Sequence, residues 1–210
     1  MELRTARVIK RGIDIFGAAV GLGALSPVLA GITLAELHFH GWPPVFAQTR
    51  PGLGGKAFTL LKFRTMTNAS SPDGTPLPDA ERLTRFGRFL RASSLDELPE
   101  LWNVLSGEMS LVGPRPLLVR YLSRYTPEQS RRHDVPPGIT GWAQVNGRNG
   151  LTWEQKFCLD VWYVDHWTLG LDFLILWRTI AAVLRRDGIS ADGDATMPEF
   201  MGVPAAGRPG

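Results

Sequence analysis

The chain has 210 residues, which is enough for one domain with a substantial core and excludes two large domains. Its formal net charge of +3 and its arginine-rich segments favour an anionic lipid surface or phosphorylated substrates. Its seven Trp suit a membrane interface, a large core or a sugar-binding site. The single cysteine, Cys158, excludes an internal disulfide and favours a reducing compartment, and the spacing of the four His predicts no zinc site.

A basic N-terminal segment precedes a long uncharged run. Residues 15–35 carry no charge and are long enough to cross a bilayer. A cleaved signal peptide is the competing interpretation, but the run is longer than the usual apolar region and Asp14 lies at its entrance. The basic residues before the run are Arg4, Arg7, Lys10 and Arg11.

Ser26-Pro27 predicts a break in the middle of this run. Pro27 cannot donate a backbone hydrogen bond, and its ring clashes with the carbonyl of Gly23. Ser26 can satisfy a freed carbonyl, so the break is tolerable inside a membrane. The result is either a kinked spanning helix or a re-entrant helix–break–helix segment. Basic residues flank both ends, which favours the re-entrant form because basic flanks prefer the cytoplasm.

The next part of the chain mixes short strands, turns and one basic helix. Residues 45–66 are β-prone around Pro51-Gly52 and predict a small hairpin. Residues 68–79 predict a surface loop. Residues 81–92 predict an amphipathic helix with an arginine-rich face, which either lies on anionic membrane or is simply solvated.

Ser94-Leu-Asp-Glu-Leu98 places two adjacent carboxylates at the start of a predicted helix. Ser94 and Glu97 have the spacing of a capping box, so the acidic pair is explained by helix capping alone. The alternative is chemical. An ionised Asp96 can bind a hard cation such as Mg²⁺ and can attack phosphorus as a nucleophile.

Loops rich in Gly and Pro follow. Pro114 and Pro116 restrict the backbone around Arg115, which suits phosphate binding or simply shapes a turn. Residues 136–150 predict an irregular loop, and Thr152 with Gln155 predicts a capped helix. The apolar run 173–184 is too short to span and predicts a core or interfacial helix, and the remainder predicts a loose tail.

Together these elements predict an α+β, predominantly helical fold with a re-entrant N-terminal segment, interfacial amphipathic helices and a small β-hairpin. We expect three parts along the chain. They are a membrane segment at 1–40, a cytosolic catalytic domain lying on the membrane at 41–190, and a loose tail at 191–210.

Several motifs, in this order, resemble the bacterial sugar transferases, also called monotopic phosphoglycosyl transferases. The matching motifs are Lys10-Arg11 with Asp14, Ser26-Pro27, Arg50-Pro-Gly-Leu53, Lys62-Phe-Arg-Thr-Met66, Ser94-Leu-Asp-Glu-Leu98, Val112-Gly-Pro-Arg-Pro116 and Pro137-Gly-Ile-Thr-Gly-Trp-Ala-Gln-Val-Asn-Gly-Arg148. The chain looks like the minimal form of the family, because it lacks the extra spanning helices of larger relatives.

The resemblance implies transfer of a sugar-1-phosphate from a UDP-sugar to polyprenol phosphate with release of UMP. It implies that Asp96 is the nucleophile, that Glu97 assists the second substrate or the metal, and that Mg²⁺ is the cofactor, bound by Asp96 with Glu97 and Asp172 as further candidates. Asp172 is equally explained as an acidic residue in the first turn of a helix. The candidates for binding phosphates are Lys62, Arg64, Arg88, Arg115 and Arg148.

The resemblance also implies the partners and the compartment. We expect a UDP-sugar, polyprenol phosphate and membrane lipid as partners, no nucleic acid, and a location on the cytoplasmic face of the bacterial inner membrane. The smallest relatives favour an N-acetylated or diacetamido sugar, although galactose and glucose are also used, and a homo-oligomer is left open. The competing hypotheses are a non-catalytic lipid-binding scaffold and a one-step transferase in which Asp96 only binds metal.

Overall fold

A computed structural model describes residues 2–147, 150–185 and 199–202 of the chain. These residues are mostly helical with two small sheets, which confirms the predicted α+β class. The strands are β1 (Val45–Pro51), β2 (Ala57–Phe63), β3 (Ser110–Val112) and β4 (Gly138–Thr140). The helices are α1 (Glu2–Ala24), α2 (Ser26–Phe39), α3 (Asp79–Arg82), α4 (Arg85–Ser93), α5 (Glu100–Ser106), α6 (Pro127–Ser130), α7 (Trp142–Val145), α8 (Trp153–His166) and α9 (Leu169–Arg185).

The apolar N-terminal run forms a bent helix pair, as its proline predicts. α1 ends at Ala24 and α2 begins at Ser26, and the Ser26 hydroxyl donates to the carbonyl of Gly23 at 2.8 Å. No single helix among the described residues has the length and apolar character of a membrane span. The pair Arg4–Ala24 and Ser26–Phe39, bent by 63°, meets that length and composition test when taken together.

The basic start of α1 fastens this helix to the rest of the fold. The Arg11 guanidinium donates to the carbonyls of Val104 and Leu105 at 2.6 and 2.8 Å, at the end of α5. The Asp14 carboxylate accepts from the backbone N–H of Leu111 at 3.0 Å. Arg11 and Asp14, which lie beside the apolar run, therefore form tertiary contacts. These contacts anchor α1 to α5 and to β3.

The predicted hairpin is confirmed. β1 and β2 pair antiparallel across the turn after Pro51, with Phe46 opposite Lys62. One face of the hairpin contributes Phe58 and Leu60 to a buried cluster with Val104 of α5. This packing fixes the position of β2 against α5.

The predicted helix over residues 81–92 is in fact two helices, α3 and α4. Thr84 interrupts them because it adopts an extended backbone and its hydroxyl accepts from the N–H of Gly87 at 2.8 Å. A local N-cap thus restarts the helix and outweighs the continuous apolar pattern that suggested a single one.

The capping box predicted at Ser94 is wrong. Ser94 ends α4 in the left-handed conformation with φ of 56°, and its side chain makes no cap hydrogen bond. Leu95 to Glu97 form a 3-10 turn, and α5 begins only after Pro99. The Glu97 carboxylate is engaged by cations from elsewhere in the fold and does not return to the Ser94 backbone.

The glycine-rich segment over residues 136–150 is more regular than its composition predicts. β4 pairs parallel with β3, and α7 follows directly. The close approach needs glycine, since a Cβ on Gly138 would lie 2.1 Å from the backbone nitrogen of Gly113. The capping box of Thr152 and Gln155 at the start of α8 is confirmed.

The division into three domains stays a prediction. Of the predicted tail, residues 199–202 are described, and Phe200 among them is buried. The other residues of that tail lie outside the described residues.

Candidate active site

Asp96 is a buried carboxylate without a partner in the described part of the chain. It lies in the 3-10 turn between α4 and α5 and is only 8% exposed. No described side chain or backbone N–H donates a hydrogen bond to its carboxylate. Burial raises its pKa, and the negative charge of Glu97 raises it further, although Lys62 and Arg115 act in the opposite direction. Asp96 is therefore a desolvated carboxyl group whose oxygens accept no hydrogen bond from the described residues.

Glu97, the neighbouring carboxylate, is held by two cations. Lys62 Nζ donates to its Oε1 at 2.8 Å, and Arg115 pairs with the same oxygen. Burial opposes ionisation of Glu97, but the charges of Arg115 and Lys62 outweigh that effect and hold its pKa well below the usual range. Glu97 thus remains an anion that fixes two basic side chains beside Asp96.

Glu100, in the first turn of α5, is a third carboxylate at this place. Its Oε1 lies 3.0 Å from Lys62 Nζ, and the residue is 2% exposed. Burial raises its pKa to about 7, because the attraction of Lys62 is offset by the repulsion of Glu97. Lys62 therefore contacts two carboxylates, Glu97, whose pKa is lowered, and Glu100, whose pKa is raised.

A buried amide aligns β2 with α5 and so brings Lys62 to these carboxylates. Asn103 on α5 donates to the carbonyl of Thr59 at 2.7 Å and accepts from the N–H of Leu61 at 3.1 Å. The side chain therefore takes the place of a strand partner along β2. Its exposure of 1% means that both bonds are shielded from water.

Arg115 is held through its backbone and leaves its guanidinium open to solvent. Its carbonyl accepts from Arg132 at 2.8 Å, and Arg132 is fixed in turn by a buried ion pair with Asp160 at 2.7 Å. The Arg115 side chain is 44% exposed, so an incoming anion can reach it. Pairing with Glu97 raises the Arg115 pKa, and the group stays charged.

Sequence reasoning missed several charged residues around this cluster. Arg50 is close enough to Arg115 and Arg120 for both to lower its pKa, with burial as the larger cause. Its Nε is buried and has no hydrogen-bond partner among the described residues. Arg50 lies in a motif that carried the family resemblance, so a signal for it existed. Nothing in the spacing indicates Glu100, which reaches Lys62 through the fold.

The other predicted phosphate-binding residues have different outcomes. The Arg64 guanidinium donates to the carbonyls of His40 and Pro43 at 3.1 and 3.2 Å, beside the end of α2. Arg88 is exposed on α4. Arg148 lies outside the described residues. The roles of these residues in phosphate binding stay predictions.

Asp172 is engaged away from Asp96. Its Oδ2 accepts from Lys10 Nζ at 2.7 Å and from Trp167 at 3.0 Å, and its Oδ1 accepts from the Tyr163 hydroxyl at 2.7 Å. Both oxygens are occupied, and the residue is buried. The contacts join α1 to α9 and give Asp172 a structural role.

Among the three carboxylates predicted for Mg²⁺, Asp96 is the one that accepts no hydrogen bond from any described residue, and magnesium binding itself stays a prediction. No group of three or more His, Cys, Asp or Glu within the described ranges is arranged to hold a metal ion. Magnesium commonly binds through one or two carboxylates together with substrate phosphates. The Asp96 carboxylate fits that mode. Lys62 and Arg115 both contact Glu97 through Oε1, so Oε2 has no contact to a described residue, whereas both oxygens of Asp172 are engaged.

The chain belongs to the bacterial sugar transferase family, whose sequence profile matches residues 5–186. It is 52% identical over 196 residues to the uncharacterized sugar transferase EpsL of Bacillus subtilis, a match that covers 93% of this chain and 96% of that protein. The charged residues around Asp96 thus lie within the part of the chain that matches the family profile.

Two further relatives carry more specific names. The chain is 39% identical over 202 residues to the undecaprenyl-phosphate galactose phosphotransferase of Salmonella typhimurium, covering 88% of this chain and 42% of that protein. It is 42% identical over 190 residues to the UDP-glucose:undecaprenyl-phosphate glucose-1-phosphate transferase of Caulobacter vibrioides, covering 85% and 70%. The chain therefore spans less than half of the Salmonella protein.

Proposed function

We propose that this protein transfers a sugar-1-phosphate from a UDP-sugar to undecaprenyl phosphate through a covalent intermediate on Asp96. The observation that carries the proposal is the buried Asp96 carboxylate, which no described residue engages. It lies beside Lys62 and Arg115, and desolvation strengthens its charge interactions with both. The names of the Salmonella and Caulobacter relatives support the two substrates.

The reaction divides into two displacements at one phosphorus atom. In the first, an Asp96 oxygen bonds to the phosphorus that bears the sugar, and the bond from that phosphorus to the bridging oxygen breaks. UMP leaves with the electron pair. In the second, a phosphate oxygen of undecaprenyl phosphate bonds to the same phosphorus, and the Asp96 carboxylate leaves. Splitting one displacement into two is the usual benefit of covalent catalysis.

Lys62 and Arg115 reduce the repulsion between an anionic nucleophile and an anionic diphosphate. Glu97 fixes both cations in place before substrate arrives, so little reorganisation is needed during the reaction. Arg115 is the more accessible of the two and suits the incoming phosphates. Bound Mg²⁺, held by Asp96 and the substrate, would supply further neutralisation of the diphosphate charge.

The bent helix pair supports a place in the membrane. Phe16, Val20 and Leu34 are exposed apolar side chains on α1 and α2. Their burial in lipid would remove apolar surface from water, and a re-entrant path would return the chain to the side it entered. We propose the cytoplasmic face of the bacterial inner membrane, because the catalytic part then shares a compartment with UDP-sugars.

UMP release tests this function. Wild-type protein is incubated with Mg²⁺ and a panel of UDP-sugars, with and without undecaprenyl phosphate. A covalent mechanism predicts up to one UMP per enzyme without the lipid and continuous release with it, whereas a one-step transferase releases none without the lipid.

Asp96→Asn should lose both signals, and exposed Asp134→Asn is the matched control that should keep them. Normal UMP release by Asp96→Asn would refute the covalent role. A wild-type protein that turns over none of the sugars would refute the proposed reaction.

A further inference from the structure

A short C-terminal segment, residues 199–202, packs against the domain that carries the candidate active site. Phe200 of this C-terminal strap is 4% exposed. It inserts between aromatic rings whose centroids lie 4.9 to 5.9 Å from its own. Contacts of this kind hold a segment in one place, because each ring pair adds to the burial of apolar surface. The surrounding rings are Tyr121, Tyr125, Trp153 and Phe157.

Polar contacts fix the strap in one register. The Phe200 N–H donates to the Tyr121 hydroxyl at 3.2 Å, and Arg124 donates to the Phe200 carbonyl. The Glu199 carboxylate pairs with Arg120 and Arg124, each at 2.8 Å. Both arginines belong to the 3-10 turn Val119–Arg124, which closely follows Arg115 in the chain.

The rings that hold Phe200 also border the residue that holds Arg115. The Arg132 guanidinium lies 5.8 Å from the centroid of the Tyr125 ring and 5.6 Å from that of Phe157. Arg132 donates to the Arg115 carbonyl at 2.8 Å. An unbroken series of contacts therefore runs from Phe200 to the backbone carbonyl of Arg115, the residue whose side chain pairs with Glu97.

We propose that Phe200 is a positioning residue that holds the Arg115 backbone in place through Tyr125, Phe157 and Arg132. The inference rests on the proposed function, in which Arg115 binds the substrate phosphates. Removing the Phe200 ring opens space beside the rings that border Arg132. The Arg115 loop, residues 113–118, then gains freedom to shift. A misplacement of about 1 Å can cost up to roughly 100-fold in rate.

The first test is a double-mutant cycle on UMP release. Phe200→Ala should lower kcat/KM for the UDP-sugar by roughly 10- to 100-fold. In an Arg115→Ala background, the same change should have an additional effect below about twofold, because two residues that act through one interaction are not additive. Phe200→Leu should restore most of the loss, and Met201→Ala, at a position 75% exposed in the same segment, should behave as wild type.

Two results would overturn the inference while leaving the proposed reaction intact. One is normal kcat/KM in Phe200→Ala alongside an inactive Asp96→Asn. The other is a loss of equal size in the Arg115→Ala background, which would mean that Phe200 acts independently of Arg115. Thermal unfolding of each variant identifies a loss that comes from unfolding.

Amide hydrogen exchange provides a measurement that does not need turnover. Phe200→Ala should accelerate exchange in residues 113–118 relative to Met201→Ala, because the Arg115 loop loses its support. Unchanged exchange in that loop would contradict the inference even if no UDP-sugar proves to be a substrate. A failed UMP assay with accelerated exchange would instead count against the proposed reaction alone.

Discussion

Replacing Glu100 with Gln should stabilise the folded protein above pH 7 and change little below about pH 5. The folded-state pKa of Glu100 is raised from 4.5 to about 7, with burial as the main cause. Between about pH 4.5 and 7, Glu100 therefore keeps its proton in the folded protein, whereas it has released that proton in the unfolded chain. The stability associated with neutral Glu100 is complete below about pH 4.5 and is lost as pH rises through about 7.

The size of the effect follows from the shift. Each unit of pKa is worth about 1.4 kcal/mol, so the difference between 4.5 and about 7 corresponds to about 3 kcal/mol at pH 8. Gln stays neutral throughout and can still accept from Lys62, whose Nζ lies 3.0 Å from Glu100 Oε1. The variant should thus gain that free energy of unfolding at pH 8.

Urea unfolding in detergent micelles between pH 5 and 8.5 measures the difference. Exposed Glu81→Gln is the matched control and should track wild type across the range. A difference between Glu100→Gln and wild type that is the same at pH 5 and pH 8 would refute the titration argument. A variant that is destabilised at pH 8 would show that ionised Glu100 contributes a favourable ion pair with Lys62.

The remaining predictions concern stability, each measured by denaturation in detergent against a control. Asp160→Asn should lower the free energy of unfolding by about 3–5 kcal/mol, because it leaves buried Arg132 without its anion. A decrease as small as that caused by the exposed control Asp134→Asn would contradict this. Thr84→Ala should cost about 1 kcal/mol through loss of the cap on α4, with Thr84→Ser retaining it. Gly138→Ala should cost about 1–3 kcal/mol or more, because its Cβ would lie 2.1 Å from Gly113 N, whereas Gly150→Ala should be tolerated.

Local chemistry made several elements predictable. Pro27 breaks the apolar run at the predicted place, because a missing N–H and a ring clash act within one turn of helix. The hairpin around Pro51 and the capping box at Thr152 are likewise local and were predicted. In each case the determining residues lie within a few positions of the structure they produce.

Long-range contacts account for the differences. The capping box expected at Ser94 does not form, because Glu97 pairs with Lys62 and Arg115 from distant parts of the chain. The parallel pairing of β3 with β4 depends on the close approach of Gly113 and Gly138. The high Gly and Pro content of this segment predicts a loop instead. Residue spacing along the chain does not predict which distant segments pair in the fold.

The candidate site shows the same division. Asp96, Glu97, Lys62 and Arg115 were selected by motif, and the structure brings them together. The sequence gives no signal for Glu100, because an acidic residue in the first turn of a helix is explained by the helix dipole alone. Its proximity to Lys62 depends on how α5 packs against β2.

The most direct test of the central claim is the intact mass of the protein after incubation with a UDP-sugar and Mg²⁺ without undecaprenyl phosphate. A covalent mechanism predicts a mass increase equal to one phosphosugar, confined by peptide mapping to Asp96 and reversed by adding the lipid phosphate. Asp134→Asn should gain the same mass, and Asp96→Asn should gain none. Continuous UMP release with lipid, accompanied by no adduct or by an adduct on another residue, would contradict the account.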